Sequence, residues 1–141
     1  MKQIPIAAAI AVQMLFATVA SAALNTDAVR LALNSLLVAT SKMSVVNAMN
    51  RTGKPPANNA EAQLGTPNTM TTNEISSIVV ANGVINVYLA PNTGTDRGLV
   101  QLVPKIVKDP KGGSEIGFVC NSPNIPDIGT VAPSCKYAPR N

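Results

Sequence analysis

Asn82-Gly83 separates two β-branched runs, Ile75 to Ala81 (ISSIVVA) and Val84 to Ala90 (VINVYLA). Both turn residues tolerate positive φ, and Asn-Gly between such runs is the strongest short-range signal for a two-residue hairpin. The second half of the chain is thereby committed to antiparallel sheet. Leu99 to Val107 (LVQLVPKIV) supplies a third strand. Within it Pro104 lacks an N–H, which points to an edge position or a bulge. Asp109-Pro110-Lys111-Gly112-Gly113 reads as a turn, and Glu115 to Cys120 (EIGFVC) as a fourth strand. From Asn121 onward Pro123, Pro126, Pro133 and Pro139 mark an irregular tail.

Upstream the period changes from two to about 3.6. Between Leu24 and Arg51, Val29, Leu33, Leu36, Leu37, Met43 and Val46 recur at three- and four-residue steps and form one apolar stripe. Asn25 or Thr26 can cap the start, and Asp27 suits the positive end of the helix dipole. Gly53 with Pro55-Pro56 stops the helix. Residues 52–73, rich in Asn, Pro, Thr, Gly and Ala, show no periodicity and read as a long surface loop, a kind of segment that often carries function. A long helix followed by an antiparallel meander is an α+β arrangement, with the helix covering one face of a four-stranded sheet.

Composition narrows the chemistry. The chain of 141 residues suits one ordinary domain, and its two Tyr, two Phe and no Trp leave an aliphatic core. No His occurs, which removes the commonest general base and metal ligand and every Ser-His or Cys-His pair. Two Cys cannot by themselves build a four-ligand zinc site. The seven carboxylates, Asp27, Glu61, Glu74, Asp96, Asp109, Glu115 and Asp127, are scattered, with no pair on one expected face. Asn92 to Asp96 and Asp109 to Gly113 offer oxygen ligands, but neither has the spacing of an EF-hand loop. We therefore expect a non-enzymatic chain with no cofactor, no metal and no small-molecule substrate. Asn50-Arg51-Thr52 fits a glycosylation sequon.

Residues 1–22 combine Lys2, an apolar stretch from Ile4 and the small-x-small end Ala20-Ser21-Ala22, the three parts of a secretory signal peptide. The competing reading is a retained hydrophobic helix, since Ile4 to Leu24 is 21 residues without a charge. In either case residues 23–141 form the globular domain and leave the cytoplasm. An oxidising compartment then predicts that Cys120 and Cys135 are paired. Their bridge would close a loop of 16 residues, counted inclusively, for about 3 kcal/mol on loop-entropy grounds.

Three stretches resemble the bacterial type IV pilins of the short-leader kind. The first is the helix from Asp27-Ala28-Val29-Arg30 to Val46, ending in Asn50-Arg51-Thr52-Gly53. The second is Thr72 to Ile78 followed by Gly83 to Tyr88, similar to the first pilin hairpin, with Leu99 to Pro104 as the next strand. The third is Ile116-Gly117-Phe118-Val119-Cys120 with Pro126 and Ala132-Pro133-Ser134-Cys135-Lys136, where pilins carry a disulfide-closed loop. The likeness covers residues 25–137. It departs at the N-terminus: no Gly precedes the apolar run, and no Glu occurs before Glu61. Residues 1–22 nonetheless match a pilin stalk in length, so the helix register would continue from them into Asp27.

The resemblance implies a type IV pilin-like fold, a structural or adhesive role in a fimbrium and a place in the periplasm or at the cell surface. Its partners would be other pilin subunits or pilus components, or a host surface, and a membrane only if residues 1–22 are retained. Two alternatives accompany it: a soluble periplasmic pilin-domain protein, and a DNA-capturing module. The second rests on Lys105, Lys108 and Lys111 within seven residues, joined by Lys136 and Arg140 from the tail. Lysines at a sheet edge are equally a device against edge-to-edge aggregation.

Overall fold

The computed structural model describes residues 23–140; the signal-like segment 1–22 and its Ala20-Ser21-Ala22 site lie outside the described residues. Two helices, α1 (Thr26–Leu33) and α2 (Leu36–Thr52), precede strands β1 (Ile75–Ala81), β2 (Val84–Leu89), β3 (Leu99–Lys108) and β4 (Ser114–Ser122). A short helix α3 (Ile128–Val131) and strand β5 (Cys135–Tyr137) end the chain. The sheet order is β1-β2-β3-β4-β5. The fold is α+β, with an N-terminal apolar helical segment on one face of a mixed sheet.

The Asn82-Gly83 turn forms as its residues require. Asn82 has φ +49° and Gly83 φ +79°, and Ala81 faces Val84 at the head of the ladder. Pro104 sits beyond the end of the β2–β3 pairing at Ile85↔Leu102, on the stretch of β3 held by β4 alone. Its missing N–H therefore costs no rung on the β2 side.

Two expectations are corrected. The single helix over 24–51 is broken at Asn34–Ser35. There Asn34 terminates α1, its N–H donating to Arg30 O at 2.9 Å and the next N–H, of Ser35, to Ala32 O at 3.2 Å, and the Ser35 hydroxyl caps α2 by accepting from Val38 N at 3.3 Å. Asn and Ser offer the backbone such alternatives to the helical ladder, and two in succession restart the helix in a new register. The apolar stripe changes with it. Val29 is buried, and Leu33, Leu37 and Val46 are half-buried, but Leu36 and Met43 are 82% and 66% exposed. Behind the break α2 buries Val38, Ser41, Val45 and Ala48 instead.

The sheet has five strands rather than four, and β5 runs parallel to β4, so it is not wholly antiparallel. The tail is ordered by its own contacts: Ile125, Ile128 and Val131 are buried with Cys120 and Cys135 in the core. The Ser122 hydroxyl gathers it, donating to Leu99 O at 2.7 Å and accepting from Ile125 N at 3.0 Å. Residues 52–73 form a largely exposed loop, as their composition suggests. Part of it lies over the edge of β1, burying Pro56, Asn59, Ala62 and Met70.

The core is aliphatic. Val29, Val38 and Val45 meet Ile75, Ile78, Val80, Ile85, Val87, Val100 and Leu102 across one interface, closed at the far end by Ile128 and Val131.

Candidate functional site

Cys120 and Cys135 are bonded to each other. They occupy the same rung of the β4–β5 ladder with Cα atoms 4.4 Å apart. Both are nearly buried, so the bridge belongs to the inner face of the sheet and ties β5 to β4 from within.

The lysine cluster is divided by the strand that carries it. Side chains alternate across a strand, so Lys105 and Lys108, three residues apart on β3, emerge on opposite faces. Lys105 lies opposite Gly117 and Lys108 opposite Ser114. Lys111 projects from the turn, where its N–H donates to Asp109 Oδ1 at 3.0 Å. Lys136 joins the outer face of Lys105, at the level of Asn121 and Gln101, four residues or about 13 Å along the strand direction from Lys105. Arg140 is exposed beyond β5. Asp109 and Glu115 share the same hairpin, leaving residues 105–115 a small positive excess. Lys105 and Lys136 thus share the outer face without meeting on it, Lys108 lies on the other face, and the hairpin's acids dilute the charge.

Among the described residues no group of three or more His, Cys, Asp and Glu side chains is gathered closely enough to hold a metal ion. Asn50 of the sequon is exposed near the end of α2.

A second set of residues, invisible to the sequence reading, lines a groove of about 370 Å³ between the helix break and the stapled tail. Arg30 and Lys42 stand on its walls; Val38, Phe118 and the Cys120–Cys135 bridge form much of the rest. The Arg30 Nε donates to Val131 O at 3.2 Å, fixing the guanidinium at the rim. Lys42 Nζ sits 6.0 Å from the centre of the Phe118 ring, within reach of a cation–π contact. Nothing in the sequence links positions 30, 42 and 118, because the helix break and the β4–β5 pairing bring them together.

No known protein-family model matches the chain, and no curated protein is significantly similar to it. The helical stretch Thr26–Thr52, taken as a whole, is long and apolar enough by length and composition to cross a membrane, as are core helices of soluble proteins and signal sequences.

Proposed function

We propose that the chain is an exported, pilin-like structural or adhesive protein of a type IV pilus system, without enzymatic activity. The observation that carries the reading is the order of elements around the staple. An N-terminal helical segment crosses the sheet, an Asn-Gly hairpin and a third strand follow, and a strand ending in Cys120 leads into a Pro-rich loop closed by Cys135. This is the order that the sequence resemblance implies. The test is fractionation of its native cells. The reading requires the chain in the sheared surface-filament or periplasmic fraction with both cysteines oxidised. A chain confined to the cytoplasm with two alkylatable thiols would overturn it.

One observation favours the soluble, periplasmic version over a filament subunit. Residues 23–25 are not helical: Asn25 is extended at φ −81° and ψ 95°, and its side chain accepts from Ala28 N. Its own N–H donates to Thr93 O at 2.8 Å. The helix register therefore does not run from upstream residues into Asp27, and α1 begins afresh at Thr26. A stalk joined to α1 as one continuous helix is incompatible with that cap, which corrects the continuity expected from the length of residues 1–22.

A further inference from the structure

We infer that the groove between the α1–α2 break and the α3–β5 turn binds a small amphipathic carboxylate. This is independent of the proposed function, since it rests on charge and shape at a surface that the pilin resemblance does not address.

The walls carry charge of one sign. Arg30 and Lys42 line the groove and no carboxylate does. The ion-pair partner of Arg30, Asp27, approaches its NH1 only to 3.8 Å, and the two side chains are 54% (Arg30) and 89% (Asp27) exposed. A pair so open to solvent is weak and readily exchanged for a better acceptor. The bond from Nε to Val131 O holds the guanidinium in place, and its terminal nitrogens, one of them only loosely paired with Asp27, stay open to a better acceptor. A planar guanidinium takes a carboxylate through paired hydrogen bonds, and a fixed one loses little freedom in doing so.

The rest of the surface suits an apolar body. Leu33, Phe118 and Ala132 are half-buried at the groove and offer it apolar surface, while Val38, Val131 and the disulfide lie nearly fully buried behind them. A cleft of about 370 Å³ lies at the lower end of the range for small-molecule sites. One anionic group between Arg30 and Lys42, attached to a short aliphatic or aromatic body resting on Leu33 and Phe118, satisfies both halves.

The probe is 4-phenylbutyrate, titrated into the oxidised protein and followed by amide chemical shifts. Saturable changes are expected at Asn34, Phe118 and Ser134. The neutral isostere 4-phenylbutanol should bind about tenfold more weakly. Lys42→Gln, a solvent-reaching change that leaves the fold intact, and Arg30→Gln should each weaken binding about two- to fivefold. Because Arg30→Gln also removes the bond to Val131, Lys42→Gln decides wherever the two disagree. Absence of saturable shifts, or equal affinity for acid and alcohol, would overturn the proposal. So would a short peptide with a free C-terminus that occupies the groove when phenylbutyrate does not.

Discussion

The Asn59 side chain is bonded to Val80 across 21 residues of sequence, with the Val80 N–H donating to Asn59 Oδ1 at 2.6 Å. The Asn59 Nδ2 donates to Ile78 O at 2.9 Å and to Gly65 O at 2.9 Å. One amide thus occupies two backbone groups on the free edge of β1, where a neighbouring strand would otherwise bond. An unpaired edge is a template for aggregation, and here a loop side chain covers part of it.

Asn59→Ala is expected to destabilise the protein by about 2–4 kcal/mol, because it strands a buried N–H and a buried carbonyl together. Asn59→Asp keeps the acceptor for Val80 but sets a carboxylate against two carbonyl oxygens, and should be no milder. Urea unfolding with an unchanged slope reads the effect. A loss below about 0.5 kcal/mol would mean that water replaces the amide freely.

That contact marks where the sequence stops being legible. The Asn82-Gly83 hairpin, β3 and β4 could be read because period, β-branching and turn chemistry are local. Asn59 could not, since an Asn in an aperiodic stretch carries no sign of the strand it will meet. The helix break was written locally, in Asn34 and Ser35, but the apolar residues on both sides of it lay at helical steps and hid it. β5 is too short to signal itself, and its pairing is fixed by the bridge to β4. The disulfide was legible from the sequence, whereas the groove of Arg30, Lys42 and Phe118 exists only after folding.

Two glycines separate backbone strain from crowding. Gly53 has φ +71° with nothing near an added Cβ, while Gly83 has φ +79° with its added Cβ only 2.9 Å from Pro55 Cβ and 3.2 Å from Pro104 Cγ. Gly53→Ala should cost about 1 kcal/mol, the left-handed penalty alone. Gly83→Ala adds a clash against two rigid rings and should cost about 1–3 kcal/mol more. Equal thermal shifts for the two variants would show that the Pro55–Pro104 contact yields without resistance.

Cys135→Ser is expected to lower stability by about 3 kcal/mol. Proteolysis within residues 121–134 should quicken, yet the segment should stay partly protected, because Ser122 and the buried Ile128 and Val131 hold it without the bridge. Cleavage as fast as in the unfolded chain would show that the bridge alone orders the tail.

Any affinity for duplex DNA should discriminate between two lysines. Lys105 and Lys108 face opposite ways, so a duplex lying against one sheet face contacts the phosphates with only one of them. One of Lys105→Ala and Lys108→Ala should reduce the salt slope by about 1 and the other by almost nothing. Anisotropy titrations at several salt concentrations measure both slopes. Equal reductions would mean that the hairpin is gripped at its tip rather than on a face.

The last expectation concerns a chain that begins at Ala23, as cleavage after Ala22 would leave it. Three bonds seat its first residues on the fold: Asn25 N–H to Thr93 O at 2.8 Å, Asn25 Nδ2 to Asn92 O at 3.3 Å, and Ala28 N–H to Asn25 Oδ1 at 3.2 Å. None of them uses anything upstream of Ala23, so the shortened protein should fold with its α1 cap intact. Asn25→Ala in this background should cost about 1 kcal/mol, as loss of an N-cap does. With α1 starting at Thr26 and Val29 already buried against the sheet, no continuous stalk remains to bury between subunits. The shortened chain should therefore elute as a monomer and unfold at the same temperature over a wide concentration range. Surface filaments built mainly of this chain, with residues 1–22 retained, would refute that expectation and would require the Asn25 cap to open on assembly.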